Sequence, residues 1–453
     1  MNNSFKDIDN ICAISSPSGT GGVSLIRVSG KRAIEITQKL FSKNITKSKG
    51  YSVHYGTIFE NENEIDQVIV TIFKNPNSFT GEDTAEISCH GSIFIQQKII
   101  ELLVKNGARV ANPGEFSQRA FLNGKMDLSQ TEAIADLIHS TSSAAHKIAM
   151  KQMKGGISNE LKKLREKLID FASLVELELD FSEEDVEFAD RKQLEELVEQ
   201  LSIHINKLKS SFKYGNAIKN GVETVIAGRP NAGKSTLLNN LLDEDRAIVS
   251  NIPGTTRDTI EEILNINGID FRFIDTAGIR NTTDKVEKMG VEKTINKINN
   301  CSILVYLYDM CETSLDDVQK DIKMLCKKQI PTIIIGNKID MLESELNTPT
   351  NHIKISANQK KYLEIIKNKI YNLFISQRID YQGVIVSNLR HFEALEKASI
   401  ELIKVKDGLE NNISGDFLAM DIRQTLLHIG DITGDISSDE LLGNIFSNFC
   451  IGK

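Results

Sequence analysis

The chain has 453 residues, room for roughly two to four domains that each bury a core. A 40% hydrophobic and 26% charged composition is that of a globular protein. The formal charge of −8 and pI near 5.7 exclude a generally basic nucleic-acid coat, so RNA contact needs a local patch or a partner's surface. Six cysteines (12, 89, 301, 311, 326 and 450) include no C-x-x-C pair, which suits reduced thiols in a cytosol better than disulfides or a zinc site. No apolar leader is visible at the N-terminus, and runs such as 303–308 are too short to span a bilayer. A cytoplasmic protein without membrane contact is expected.

In chain order, residues 1–118 alternate short strand-like runs with turn clusters. Residues 11–14 lead into the turn Ser15-Ser16-Pro17-Ser18-Gly19-Thr20-Gly21-Gly22 and a second strand at 23–30. Helices at about 31–41 and 92–106 flank strands at 68–73 and 84–89, giving an α+β domain. Over 119–215 apolar residues recur at helical spacing, in 134–155, 157–178 and 193–212, as in a bundle. The acidic 183–190 reads as a solvated connection. Residues 216–378 alternate strands (223–227, 271–275, 302–308, 332–336, 352–356) with helices, the pattern of a doubly wound parallel sheet. Helical periodicity returns over 379–453, at 391–408, 417–427 and 438–446. The fold class is therefore multidomain α/β and α, with the doubly wound domain inserted into a helical domain.

The chemistry centres on Gly228-Arg229-Pro230-Asn231-Ala232-Gly233-Lys234-Ser235-Thr236, a G-x-x-x-x-G-K-S run between a strand and a helix. Its glycines let backbone N–H groups converge on an anion, and the following helix start adds donors and a favourable dipole. Lys234 is expected on the β- and γ-phosphates and Ser235 on Mg²⁺. Further signals follow in the order of a GTPase. Thr255-Thr256-Arg257-Asp258 offers a threonine hydroxyl, assigned to Thr256, to the Mg²⁺ shell. Asp275-Thr276-Ala277-Gly278 ends a strand, with Asp275 on the Mg²⁺ shell through water and the Gly278 N–H on the γ-phosphate. In Asn337-Lys338-Ile339-Asp340, the Asp340 carboxylate accepts from guanine N1–H and its 2-amino group, a donor pair adenine lacks. Ser356-Ala357 closes over the base.

Beyond these, Asn77-Ser78-Phe79-Thr80-Gly81-Glu82-Asp83, Pro113-Gly114-Glu115-Phe116-Ser117, Arg119-Ala120-Phe121-Leu122-Asn123 and the terminal Cys450-Ile451-Gly452-Lys453 stand out. With the phosphate loop they resemble, over essentially the whole chain, the MnmE (TrmE) family of tRNA uridine-modifying GTPases. Small departures are Asn112 before Pro113, where a basic residue is usual, and Ser24 in place of a small residue. The resemblance implies a nucleotide-binding set that also includes Ser250, Asn251, Ile252, Pro253 and Gly254. Where Ras-like enzymes carry a water-orienting Gln this chain has Ile279, and the resemblance implies Glu287 instead, acting through a bridging water. Glu287 also reads as a solvated helix-start glutamate. A potassium ion is implied in place of an arginine finger, held by Asn231, Thr255 and the carbonyls of Ser250 and Ile252. Asn231 also reads as a turn residue, and Arg257 or Arg280 as the source of that charge.

The family adds a carboxymethylaminomethyl or aminomethyl group to the wobble uridine of certain tRNAs. It does so with an MnmG (GidA) partner, which carries FAD and uses NADH, and takes a one-carbon unit from 5-formyl- or 5,10-methylene-tetrahydrofolate. The resemblance implies a folate pocket in the N-terminal domain, with Arg27, Glu86 and Lys125 joined by Lys453. Homodimerisation through that domain is implied too. Cys450 is not in a prenylation box, because Gly452 is not aliphatic and Lys453 is a poor final residue. It reads either as a functional thiol or as part of a frayed tail. A different class stays open, an Era-like switch in ribosome assembly, although no KH-type module is recognisable. A scaffold whose assembly GTP gates is a third reading.

Overall fold

A computed structural model of the chain describes residues 9–180, 191–243, 261–275, 295, 297–326, 330–342, 349–376, 383–411, 413–435, 439–447 and 449–452. The chain divides into two compact units, one of 1–138, 152–180 and 422–453, the other of 139–151 and 181–421.

The first unit is built on strands β1 (Asn10–Ile14), β2 (Gly21–Ser29), β3 (Ser52–Glu60), β4 (Asn63–Phe73), β5 (Thr84–Gly91) and β6 (Ala108–Val110). They form one sheet in the order β3-β4-β5-β2-β1-β6, antiparallel except for the β1–β6 pair. Alternate residues such as Ile26, Val28, Val70, Ile72 and Ile87 point to one buried face, as period-two side-chain placement demands. Helix Ile93–Lys105 lays Gln96, Ile99, Leu102 and Leu103 toward that side. The expected α+β domain is present, and the turn at 15–22 joins β1 to β2. Strands β3 and β6 are additions to the sequence reading.

Charged residues of the sequence motifs are buried at one end of this sheet. Arg119 donates to Glu115 at 2.8 Å, reaches Glu82 at 3.3 Å and Asp9 at 2.8 Å. Arg109 pairs with Glu115 and Asp9, and the Ser29 hydroxyl donates to Glu82 at 2.8 Å. The Glu115, Arg119 and Glu82 side chains are each under 10% exposed. Burial pushes the Glu115 carboxyl up, but hydrogen bonds from Arg109, the Asn112 amide and Arg119 outweigh it and hold it below its ordinary value.

The second unit holds β7 (Val222–Ala227), β8 (Glu261–Ile266), β9 (Ile269–Asp275), β10 (Ile303–Asp309), β11 (Thr332–Asn337) and β12 (His352–Lys354), in the order β12-β11-β10-β7-β9-β8. The anticipated strands are all parallel, and β10 is buried along its whole length. Two readings need correction. First, β8 pairs antiparallel with β9 at the edge, through a turn in which Asn267 (φ 51°) and Gly268 (φ 82°) both take the left-handed conformation of a tight hairpin. Second, the helix expected over 134–155 is two helices, Leu128–His139 and Ser143–Met153. The break has a cause: the Ser142 hydroxyl accepts from the Ala145 N–H, and Thr141 donates to Asp270 at 2.6 Å. Ser and Thr side chains compete for backbone groups in this way.

Helices Arg191–Asn220 and Leu389–Glu410 run side by side in the second unit. Phe212 stacks on Phe392 with centroids 4.5 Å apart, and Lys406 meets Glu199 at 3.0 Å. The chain thus enters and leaves the nucleotide-binding sheet through one helix pair. The connection read at 183–190 lies outside the described residues. Among the described residues no helix is long and apolar enough to cross a membrane.

Arg119→Met leaves Glu82 and Glu115 buried without their shared cation. We expect a loss of about 3–5 kcal/mol in urea unfolding, the cost of breaking one side of a buried pair. Because Glu115 is depressed, its contribution is complete above its ordinary value of 4.5 and is lost as pH falls through the folded value. The variant should therefore lose stability less steeply in acid than the wild type.

Candidate GTP site

The carboxyl ends of β7, β11 and β12 lead into the phosphate, guanine and closing loops, the usual place for a ligand on an open parallel sheet. Two glycines shape the phosphate loop. A Cβ at Gly228 (φ 153°) would lie 1.9 Å from the Leu307 carbonyl oxygen, and one at Gly233 (φ 97°) 2.2 Å from Asn337 Nδ2. Neither position admits a side chain, which leaves a bare backbone turn for an anion. Asn231 stands between them in the left-handed region (φ 61°), which asparagine tolerates. Helix Lys234–Asp243 follows, with Ser235 and Thr236 in its first turn, the end of a helix whose backbone N–H groups favour an anion. The Lys234 ammonium donates to the Gly228 and Arg229 carbonyls at 2.9 Å each, so its charge sits over the loop. Arg229 turns away, to Asp321 at 2.7 Å and Asp317 at 3.4 Å.

Asn337 ties the loops together. Its Nδ2 donates to the carbonyl of Ala232 at 2.8 Å, and its Oδ1 accepts from the Ala357 N–H at 2.8 Å. Asn240 donates to the Ala357 carbonyl at 2.7 Å, and the Ile355 N–H to Gly336 at 2.8 Å. Asn337 and Ser356 are buried, whereas Asp340, in the short 3₁₀ turn Ile339–Met341, is exposed. The backbone of Asp275 ends β9 beside Ile226. The structure thus brings together Asn231, Ala232, Gly233, Lys234, Asn337, Ser356 and Ala357. Ser250, Asn251, Ile252, Pro253, Gly254, Thr255, Thr256, Thr276, Ala277, Gly278, Glu287 and Lys453 lie outside the described residues.

Of the residues assigned to a folate pocket, Arg27, Glu86 and Lys125 fall in the first unit. Arg27 and Glu86 are register partners on β2 and β5 and pair at 2.9 Å, both partly exposed. The Arg27 guanidinium lies 5.2 Å from the Phe79 ring centroid and 5.6 Å from that of Phe116, within cation–π range. Both rings sit in motifs that the sequence reading quoted without giving them a role. Lys125 donates to the Pro76 carbonyl at 2.9 Å. The tail is docked, not frayed. The Gly114 N–H donates to the Cys450 carbonyl at 3.3 Å, and the Ser15 hydroxyl to the Gly452 carbonyl at 2.9 Å. A Cβ on Gly452 (φ 94°) would lie 2.3 Å from the Ile14 carbonyl oxygen. The Cys450 side chain is nevertheless exposed. Nothing in the sequence pattern linked Ser15 or Gly114 to the tail.

Two family models match the chain: the "MnmE helical domain" over residues 128–450 and the "GTP-binding protein TrmE N-terminus" over 10–125. A tRNA modification GTPase MnmE of Cytophaga hutchinsonii is 51% identical over 450 residues, 98% of either chain. Its counterpart in Flavobacterium psychrophilum is 52% identical over 98% of this chain and 99% of its own, and that of Bacteroides thetaiotaomicron 49% over the same shares. Among solved structures, Aquifex aeolicus Era bound to GDP and aluminium fluoride is 25% identical over 40% of this chain and 66% of its own, with a TM-score of 0.28. The loop glycines, the Asn337 tie and the end-to-end identity lead to one conclusion: the chain belongs to the MnmE (TrmE) family and is a GTP-hydrolysing enzyme.

Proposed function

We propose that this chain couples GTP hydrolysis to the modification of C5 of the wobble uridine in certain tRNAs. It adds a carboxymethylaminomethyl or aminomethyl group together with an MnmG (GidA) partner that brings FAD and NADH. The observation that carries this reading is the docked tail, which holds an exposed thiol on a fixed backbone in a unit separate from the GTP loops. A GTP switch alone has no use for such a thiol. The relatives in Cytophaga hutchinsonii and Flavobacterium psychrophilum, each a tRNA modification GTPase MnmE, support it.

In the GTP reaction, the Gly228–Gly233 turn and Lys234 bind the phosphates, Asp340 reads guanine, and Ser235 and Thr256 hold Mg²⁺. The turn suits a triphosphate because its glycines let the backbone pack against Leu307 and Asn337 and so hold its N–H groups in one tight loop. Asn231 offers a carboxamide oxygen, the donor type a hard monovalent cation takes, with Ser250, Ile252 and Thr255 completing a K⁺ site. Glu287 orients the attacking water. In the first unit, Arg27, Glu86, Lys125 and Lys453 hold a tetrahydrofolate, which when bound supplies the one-carbon unit. The donor set fits: a guanidinium–carboxylate pair, with two phenyl rings close to the guanidinium, matches a flat heterocycle bearing carboxylates and N–H groups. Val53 and Tyr55 on edge strand β3, with Tyr51 just before it, are each more than half exposed and suit a homodimer contact.

GTP turnover at matched ionic strength should be high in K⁺ and fall sharply in Na⁺, with GTP binding little changed; equal rates would remove the potassium site. Cys450→Ser should keep its GTPase and leave wobble uridine undermodified, because a hydroxyl is a far weaker nucleophile at neutral pH. Gly452→Ala should do the same by displacing the tail, and its Cys450 should react with iodoacetamide at an altered rate. Normal tRNA modification by the Ser variant would make the tail thiol dispensable.

A further inference from the structure

The Asp309 side chain is a buried carboxylate in the second unit to which no role has yet been given. It ends β10 as the register partner of Asn337, and its side chain is only 5% exposed. The Lys338 ammonium lies 2.5 Å from its Oδ2 as an ion pair, while the Cys311 N–H donates to its Oδ1 at 2.9 Å. The Met310 N–H bonds the Asn337 carbonyl at 3.1 Å, which joins the two strand ends directly. Lys338 itself sits in the left-handed region (φ 67°), where a residue with a Cβ rarely rests without support. Neighbouring Asn337 is fixed by its ties to Ala232 and Ala357. Backbone on one side of Lys338 and carboxylate on the other thus leave its four-carbon stem a single course across the loop that ends in Asp340.

We propose that Asp309 is a positioning residue for guanine-nucleotide recognition, which acts by holding Lys338 along one wall of the base pocket. A buried acceptor locked by the Cys311 amide cannot swing to another partner, so it sets where the lysine stem runs. The Asp309 carboxylate beside it also raises the lysine pKa. Asp309 touches no reacting atom in this scheme. Its effect falls on nucleotide affinity, not on the chemical step. The proposal rests on reading residues 337–340 as the guanine loop.

The test is a double-mutant cycle in the full chain, read by the Kd of a fluorescent GDP analogue and by kcat at saturating GTP. Asp309→Asn and Lys338→Met should each raise the Kd roughly tenfold, within the range over which contacting residues couple, and Asp309→Asn should leave kcat within about twofold. The double variant should be no weaker than either single one. Additive losses, or an unchanged Kd in Asp309→Asn, would overturn the proposal. Asp309→Glu, which keeps the charge but moves it, should also raise the Kd and serves where the Asn variant does not fold; an unchanged Kd there overturns the proposal equally. Asp340→Asn, assayed alongside for a switch toward xanthosine nucleotides, tests the loop assignment separately. A switch there with no effect at Asp309 would reject the positioning role alone.

Discussion

The Asn337 carboxamide joins loops 105 and 20 residues away, one through Ala232 and one through Ala357, and the nucleotide site depends on it. An amide offers a donor and an acceptor on one rigid plane, so a single buried side chain fixes both loops to the end of β11. The contact also explains why position 233 is glycine, since any Cβ would occupy the space of the Asn337 nitrogen. Phosphate loop, guanine loop and closing loop are consequently one object. A shift in any of them is felt by the others, the kind of coupling a switch enzyme needs.

The first unit solves a similar problem with charge. Its motif residues Glu82 and Glu115 pair with one shared cation, Arg119, inside the sheet's end. Buried ion groups of this kind cost desolvation and return it only when fully paired. Glu115 and Phe116 are adjacent, so the network that anchors Glu115 also steadies the ring beneath Arg27. Gly114, one residue earlier, receives the tail. A short stretch of chain therefore ties fold stability to both candidate chemical groups of this unit.

Local signals made much of this legible in the sequence. The G-x-x-x-x-G-K-S run, its flanking strand and helix, and the tetrapeptides at strand ends are contiguous patterns, and their described parts converge where such patterns demand. What escaped reading is non-local or locally ambiguous. Asp309 looks like the last residue of an apolar strand, and its pairing with Lys338 depends on strand order. Ser15 and Gly452 meet across 437 residues, a contact that no window reveals. The hairpin at Asn267-Gly268 carries a turn signal, but edge strand β8 beside it is half polar and gives only a weak strand pattern. The Ser140-Thr141-Ser142 break was hidden because the apolar helical spacing continues across it.

The central claim is that GTP hydrolysis by this chain serves wobble-uridine modification. Quantifying the modified nucleosides of bulk tRNA from cells lacking the gene, with and without the chain restored, tests it most directly. The account predicts loss of carboxymethylaminomethyl- and aminomethyl-type uridines, with recovery by the wild-type chain but not by Lys234→Ala. An unchanged nucleoside profile in the deleted cells would contradict it.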